Sequence, residues 1–471
     1  MIKNNFWNNT IIYGAGFLLL RGISFFLLPV YTNLLSEYDA GLIFLIYTLL
    51  AFLNPVYAYG MNAALFKFSN NKDYSSVSIT TTSLISLLIS SSLFSCLLIL
   101  FSPYLNFLID SGLNSTYTVN WFFWLALILF FDSVSARIFV LLRVQQKPYY
   151  FLFISTVNIV LSLTFNFLFI KHCLLGSFGA VLALFLVSSI QVLLLIPILI
   201  RVINFYKFNI HLFKKMFSFA VPFLPSALLF VVIGFSDRWF IKYYLNMESV
   251  GIYGAGYKLG SIMSLAVTAF NLNWQPYYLK TNNNKNNQFG EIGNIAIVGF
   301  VGVFTLLIFF IKDIVTINWN GQFLIGRSFW GGLSVVPYVA LGYLFYGIYI
   351  LQMPSIFLLN KQKWGLLFWV GGAVVNIIGN AILIPEYGIL GASIATALGY
   401  FIMMIWLLYK NQKWINIVYN YQLISTHIII SMIVLFVNAL SFPLSFLLGI
   451  LYLFYVFLLI FNLQKKINLN D

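Results

Sequence analysis

Four charged side chains lie inside long apolar stretches of the sequence, and their types are the ones that could bind a charged ligand. They are Arg21, Asp132, Arg137 and Lys258. A charge within the hydrocarbon of a membrane costs at least a few kcal/mol unless it is paired or hydrated. The first interpretation is a cationic, water-accessible cavity between the two halves of the chain, which holds an anionic headgroup, since the fork of an arginine grips phosphate bidentately.

A second interpretation of the same residues stays open. Asp132 and Arg137 are five residues apart, so they do not stack on one helical face. The alternative is internal pairing, chiefly of Asp132 with Arg137 but also of either residue with a group on another span. Long basic side chains can also reach an interface with water by extending along their helix. These alternatives predict structural ion pairs or interfacial cations rather than a binding cavity.

Three prolines lie in two of the apolar segments. Pro29 is near the end of the first apolar segment, and Pro222 and Pro225 interrupt the seventh. Proline removes helical hydrogen bonds and bends a helix. Bent helices lining a cavity are a feature of transporters, although prolines also produce ordinary packing kinks.

The elements that must position these residues are membrane-spanning helices. Of 471 residues, 61% are hydrophobic and only 8% are charged, whereas soluble domains carry about a quarter charged residues. A helix needs about 20 apolar residues to cross the hydrocarbon core. The sequence therefore predicts an all-α integral membrane protein with about fourteen transmembrane helices, near 10–34, 38–60, 77–103, 120–143, 149–170, 175–200, 216–236, 250–272, 290–312, 331–353, 364–384, 387–409, 421–440 and 443–463.

The distribution of Lys and Arg predicts the orientation of these helices. With a cytoplasmic N-terminus, the inner side holds 17 of the 25 basic residues: Lys3, Lys67, Lys72, Arg143, Lys147, Arg201, Lys207, Lys214, Lys215, Lys280, Lys285, Lys361, Lys363, Lys410, Lys413, Lys465 and Lys466. An excess of Lys and Arg in cytoplasmic loops is the rule for multi-pass proteins. Both termini are therefore predicted to be cytoplasmic. The net charge of +14 follows this pattern, so we do not expect nucleic acid as a partner.

The sequence contains no signature of an enzyme. It has no glycine-rich phosphate loop, no grouping of metal ligands and no nucleophile–base motif, and Cys96 and Cys173 have no metal-ligand spacing. The loops are too short to form the sizeable outer domain that we expect of a membrane polymerase. We therefore predict a non-enzymatic protein without cofactor or metal, which transports by using an ion, potential or substrate gradient.

An internal repeat predicts the domain organisation. Matching positions lie 210, 216 and 212 residues apart, namely Gly41 and Gly251, Lys147 and Lys363, Gly179 and Gly391. Two parallel repeats of six spans are a transporter architecture. The prediction is an N-terminal six-helix lobe at 1–205, a C-terminal six-helix lobe at 206–412, and two further helices with a cytoplasmic tail at 413–471.

Three sets of residues carry a family resemblance. The first helix carries Arg21 and runs into Leu28-Pro29-Val30-Tyr31-Thr32, and the second half opens with Pro222, Pro225, Asp237-Arg238 and Gly251-Ile252-Tyr253. A late segment contains Asn380, Ile384-Pro385, Gly388, Gly391-Ala392 and Ala395-Thr396. Together these segments, which cover nearly the whole chain, resemble the O-antigen and polysaccharide repeat-unit flippases, which are related to multidrug and toxic-compound extrusion transporters.

The resemblance implies a fold, a substrate and a set of site residues. It implies a V-shaped bundle that moves a polyprenyl-diphosphate-linked oligosaccharide from the inner to the outer leaflet of the bacterial inner membrane by alternating access. The diphosphate would meet Arg21, Lys258, Arg137 and Asp132, with Pro29, Pro222, Pro225, Asp237 and Arg238 at a gate or lobe interface. Membrane lipids, and a polysaccharide polymerase with chain-length proteins, are the partners it implies.

Two other classes of protein remain as alternatives. An ion-coupled antiporter of drugs or small molecules, from the same superfamily, would favour acidic groups in its cavity, whereas the spans here carry three cations and one aspartate. A membrane polysaccharide polymerase is the second alternative, and the short outer loops count against it.

Overall fold

The chain forms two compact bundles of helices. The computed structural model describes residues 16, 22–69, 73–109, 119–280, 286–319, 321–415, 417–439 and 445–470. Unit one is Met1–Arg238 and unit two is Trp239–Asp471. The predicted boundaries at 205/206 and 412/413, which follow the sequence repeat, stay predictions.

Unit one is built from consecutive helices. They are α1 (Leu28–Leu34), α2 (Glu37–Ala58), α3 (Met61–Phe68), α4 (Ser76–Leu105), α5 (Trp121–Val144), α6 (Pro148–Phe167), α7 (Gly176–Val202), α8 (Ile210–Ala220) and α9 (Phe223–Phe235). A π-helical turn, Leu168–His172, extends α6, and short 3-10 turns lie at Asn106–Leu108 and Phe205–Lys207. Helix α10 (Asp237–Tyr244) follows α9 directly.

Unit two continues the series. Its helices are α11 (Met247–Gly260), α12 (Ile262–Lys280), α13 (Asn286–Val315), α14 (Val336–Leu351), α15 (Pro354–Leu358), α16 (Gln362–Tyr387), α17 (Ile389–Trp414), α18 (Tyr421–Ala439) and α19 (Ser445–Asn470). A two-stranded antiparallel hairpin, β1 (Asn318–Trp319) and β2 (Gln322–Phe323), and a 3-10 segment, Arg327–Val335, connect α13 to α14.

The lengths and apolar composition of these helices confirm a multi-pass membrane protein. Within the described residues, ten helices are long and apolar enough to cross a membrane, or eleven if the bent pair α8 and α9 is one span. Two shorter apolar helices, Gly22–Leu34 and Tyr421–Val437, correspond to the first and thirteenth predicted spans. The eighth predicted span is divided between α11 and α12. These helices are compatible with the predicted count of about fourteen.

The internal repeat is visible in the backbone as well as in the sequence. Gln146 and Asn360 have left-handed φ angles of 53° and 52°, and each ends the turn before a long helix. Gly176 and Gly388, with φ of 54° and 59°, stand at the start of the following helix in each copy. Residues other than glycine rarely adopt positive φ, so matching pairs at matching positions support the repeat.

The two final helices, outside the repeat, pack on α13. Phe309 of α13, Val434 of α18 and Tyr452 of α19 belong to one buried apolar cluster. The hydroxyl groups of Ser431 and Tyr452 share a hydrogen bond of 2.6 Å inside it. In hydrocarbon, such contacts and close packing hold helices together.

Candidate functional site

A cavity of about 820 Å³ lies within unit one. Helices α2, α5, α7 and α9 and the start of α3 contribute its walls. Its polar lining residues are Asn54, Asn62, Asp132, Ser133, Ser135, Arg137 and Gln191. A cavity of this size with a few convergent polar groups has the character of a ligand site.

A break between α2 and α3 gives the cavity one of its polar walls. Tyr59 and Gly60 adopt left-handed φ angles of 33° and 74°, which end α2 and redirect the chain into α3. A side chain at Gly60 would collide with the backbone of Ala220, so only glycine fits this approach of the chain to α8. The turn places Asn62 on the cavity.

Arg137 is a fully buried cation in α5, with an exposed fraction of 0%. Its Nε donates to Oδ1 of Asn62 over 2.8 Å, and its Nη1 donates to Oγ and the carbonyl oxygen of Ser83 over 2.5 and 3.3 Å. Two neighbouring helices, α3 and α4, therefore fix the plane of the guanidinium group. Its Nη2 has no hydrogen-bond partner among the described residues.

Asp132 lies one and a half turns before Arg137 on α5 and also lines the cavity. Its Oδ1 accepts a hydrogen bond of 2.5 Å from the hydroxyl group of Ser188 on α7. Three residues further along α7, Oε1 of Gln191 accepts from the amide of Asn158 over 2.6 Å. This side of the cavity is therefore made of polar groups that α5, α6 and α7 hold in place.

The structure brings Asp132 and Arg137 to one cavity but does not pair them. In the described part of the chain, neither side chain forms an ion pair with the other. The alternative prediction, that these two residues neutralise each other directly, is therefore wrong in this structure. Arg137 is held by neutral groups, with one nitrogen left for an additional acceptor.

The predicted prolines lie at breaks in the helices. Pro222 ends the turn between α8 and α9, whose axes differ by 41°, and Pro225 lies in the first turn of α9. Pro29 is at the start of α1, directly after a turn at Leu27. Proline suits the first turn of a helix, because the N–H groups of that turn have no acceptor within the helix and the N–H that proline lacks is therefore not needed. A role of these prolines in gating stays a prediction.

Asp237 and Arg238 form a buried ion pair at the start of α10. Nη1 of Arg238 donates to Oδ1 of Asp237 over 2.7 Å and to the carbonyl oxygen of Gly234 over 3.0 Å. The guanidinium group also lies over the ring of Phe235, 5.0 Å from its centre. Because these contacts are local to one turn, they fix the junction of α9 and α10. Their predicted function at a lobe interface stays a prediction.

Lys258 belongs to unit two and is half-buried in the last turn of α11. Gly256 and Gly260, four residues apart, place one face of α11 in close contact with residues Gly332 and Val339. Lys258 lies on the opposite face, since two residues correspond to about half a turn. Arg21 lies outside the described residues, so its predicted contact with the same ligand as Lys258 stays a prediction.

Asn62, Ser83 and Gln191 are site residues that the sequence alone did not predict. Asn62 follows the predicted end of the second span, and Ser83 is one of many hydroxyl residues in α4. The Tyr59-Gly60 dipeptide was the usable signal, because a glycine after an apolar span can accommodate a left-handed turn. Nothing in the spacing alone connects Ser83 to Arg137.

The helical units and the broken spans define an all-α, multi-pass membrane protein. The structure is similar to the lipid II flippase MurJ in its inward closed conformation, with a TM-score of 0.72 and 17% identity over 98% of this chain and 100% of that one. It is also similar to the MATE transporter VcmN of Vibrio cholerae in its bent form, with a TM-score of 0.57 and 14% identity over 90% and 97% of the two chains.

The sequence comparisons then give the family. The model of a family described as polysaccharide biosynthesis protein matches residues 6–282, and the chain belongs to this family. A curated relative, the uncharacterized membrane protein MJ1068 of Methanocaldococcus jannaschii, is 23% identical over 458 residues, which cover 85% of each chain.

Proposed function

We propose that this protein is a flippase for lipid-linked oligosaccharides. It moves polyprenyl-diphosphate-linked sugar units, such as those of O-antigen or lipopolysaccharide synthesis, from the inner to the outer leaflet of a bacterial inner membrane. The family membership and the similarity of the fold to that of the lipid II flippase MurJ support this proposal. The protein acts by alternating access rather than as an enzyme, and a polysaccharide polymerase and chain-length proteins receive its product.

The observation that carries the proposal is the incomplete coordination of Arg137. A buried charge without a counter-charge is unfavourable by several kcal/mol, yet Arg137 is held in place by Asn62 and Ser83 with Nη2 unsatisfied. An anionic group in the cavity would supply both the charge and the acceptor. A phosphate matches the fork of arginine, while the amide groups of Asn54 and Gln191 offer hydrogen bonds to hydroxyl-rich sugars.

The position of Asp132 in the wall of the cavity favours a second candidate function, that of a small-molecule antiporter. A carboxylate lining a cavity could bind an organic cation, and in that case substitution of Asp132 would remove transport while substitution of Arg137 would not. The cavity contains one residue of each sign, so it is not net acidic. The oligosaccharide flippase is therefore the function that we propose.

Loss of the protein should trap its substrate on the inner leaflet. We expect a depleted strain to continue making lipid-linked repeat units, because the chain contributes no catalytic step to their synthesis. The measurement is the accessibility of these lipids to an impermeant oxidant of sugars added outside intact spheroplasts. Accessibility should fall while the total amount of the lipid is maintained or rises.

The control for this experiment is re-expression of the wild-type chain, which should restore the outer-leaflet signal. Purified protein that polymerises or hydrolyses sugar–lipid substrates in detergent would contradict the proposal. Normal outer-leaflet labelling after depletion would do the same.

The proposal includes cytoplasmic N- and C-termini, from the asymmetry of Lys and Arg. Reporter fusions after Lys72, Lys215 and Lys413 should be active in the cytoplasm, and fusions near Asp110 and Asp313 should be active outside. A cysteine-labelling experiment with an impermeant maleimide at the same positions is an independent control. An outside signal at any of the first three positions would overturn this topology.

A further inference from the structure

A second cavity in unit one, of about 500 Å³, lies between the first turn of α6 and the last turns of α7. Gln146, Lys147, Tyr149, Tyr150, Pro197 and Arg201 contribute to its walls. These residues are at the ends of apolar helices, which is the level of the lipid headgroups if the helices span the membrane. The cavity shares no residue with the one that contains Arg137.

Two cations in this cavity lack partners. Lys147 and Arg201 are both exposed, and in the described residues neither side chain forms a hydrogen bond, an ion pair or a ring contact. The start of α6 adds positive potential, because no side chain caps its N-terminus; the free N–H groups there belong to the residues after Pro148, which itself has none. The first N–H groups of a helix attract anions.

The repeat provides an internal comparison for these cations. In the second copy, Nζ of Lys361 lies 4.6 Å from the ring centre of Trp414, and Nζ of Lys410 lies 4.2 Å from that of Trp364. Lys361 follows the left-handed Asn360 as Lys147 follows Gln146, so the backbone matches Lys147 with Lys361 and not with Lys363 as the sequence repeat predicted. At this end of the second copy, aromatic rings therefore stabilise the cations, whereas Lys147 and Arg201 face open space in a cavity.

An apolar surface continues from the cavity along both helices. On α7, Leu193, Ile196 and Ile200 have exposed fractions of 61%, 36% and 73%, and their spacing places them on one face. On α6, Tyr149 and Phe153, one turn apart, are 73% and 54% exposed. Basic groups above an exposed apolar face match a ligand with an anionic head and hydrocarbon chains.

We propose that this cavity binds an anionic phospholipid. The headgroup phosphate lies between Lys147 and Arg201 at the N-terminus of α6, and the acyl chains follow the exposed faces of α6 and α7. Basic pockets between membrane helices bind anionic headgroups in this way. With cytoplasmic termini, the site faces the inner leaflet, but the lipid contact itself does not depend on the transported substrate.

The test is native mass spectrometry of the full-length protein released from detergent with equal amounts of phosphatidylglycerol and phosphatidylcholine. The wild-type protein should retain phosphatidylglycerol preferentially. The double variant Lys147→Gln/Arg201→Gln should lose this preference by about tenfold, since each basic residue contributes to headgroup attraction. The exchanged variant Lys147→Arg/Arg201→Lys should keep it.

Lys361→Gln/Lys410→Gln is the matched control, because it removes the same charge from the second copy, where rings already hold the cations. It should keep the phosphatidylglycerol preference of the wild-type protein. An unchanged preference in Lys147→Gln/Arg201→Gln, or an equal loss in the control, would overturn the proposal. Displacement of phosphatidylglycerol by millimolar inorganic phosphate would show a site for free anions and overturn the assignment to a lipid.

Discussion

Arg137→Gln should abolish transport of lipid-linked oligosaccharide without reducing the amount of protein in the membrane. Removing one partner of a buried charge pair costs roughly 3–5 kcal/mol, and each 1.4 kcal/mol corresponds to about a factor of ten. If the diphosphate is the missing partner of Arg137, transport should fall by about 100-fold or more. Complementation of a flippase-null strain, read as surface polysaccharide, measures the loss.

Folding stability separates this function from a structural role. In the proposed mechanism Arg137 lowers the folding stability of the protein without substrate, because its Nη2 is buried without a hydrogen-bond partner among the described residues. The thermal unfolding temperature of purified Arg137→Gln should therefore equal or exceed that of the wild-type protein. A strong decrease in that temperature, with poor membrane abundance, would indicate that Arg137 stabilises the helix packing and does not bind substrate.

Variants of its two neighbours provide graded controls. Asn62→Ala and Ser83→Ala keep the charge but remove the groups that fix the guanidinium plane, so transport should fall by only about threefold to tenfold. Arg137→Lys keeps the charge without the fork, and it should retain less transport than either alanine variant. Wild-type surface polysaccharide from a well-expressed Arg137→Gln variant would remove the phosphate-binding role.

Lys258→Ala should also abolish transport, and Lys258→Arg should retain part of it. One face of α11 is packed through Gly256 and Gly260, and Lys258 lies half-buried on the opposite face. A phosphate in a low-dielectric cleft requires a neutralising partner, so the charge at this position should matter more than the shape of the side chain that carries it. Arg21→Ala should have the same effect, and Arg21→Lys should be tolerated less well than Lys258→Arg because bidentate geometry is lost.

The measurement is again complementation, with the membrane abundance of every variant determined in parallel. Lys465→Ala, near the end of α19, is the control and should behave as the wild-type protein. If Arg21→Ala and Lys258→Ala were abundant and produced normal surface polysaccharide, both residues would be structural or interfacial cations. Of the basic residues proposed to bind the diphosphate, only Arg137 would then remain.

The sequence was sufficient to predict the fold because membrane helices are selected by composition over about 20 residues. Long segments such as Trp121–Val144 and Gly176–Val202 were therefore found near their observed ends. The division of the eighth predicted span at Ser261 was not predicted, since the change of direction there depends on packing rather than on average hydropathy. The repeat was readable because glycine and left-handed turns recur at fixed separations.

The site was only partly predictable for a different reason. A lone charge such as Arg137 is conspicuous in an apolar span, so the residue itself could be identified. Its partners could not, because Ser83 and Asn62 are 54 and 75 residues distant along the chain and belong to common residue types. Asp132 was predicted as a direct partner of Arg137 because the two residues are close in sequence. In the structure Asp132 instead accepts a hydrogen bond from Ser188 on α7.

The order of Arg137 and its partners along the chain has a consequence for biogenesis. An arginine at the centre of a membrane helix enters the bilayer at a cost of about 2.5–3.5 kcal/mol. Arg137 lies seven residues before the end of α5, so this value is the upper limit of its cost. Asn62 and Ser83 both precede Arg137 in the sequence, so ribosomes have already delivered them when α5 emerges. Insertion of the arginine can therefore be assisted by helices that arrived earlier, whereas Asp132 must await the later synthesis of α7 to meet Ser188.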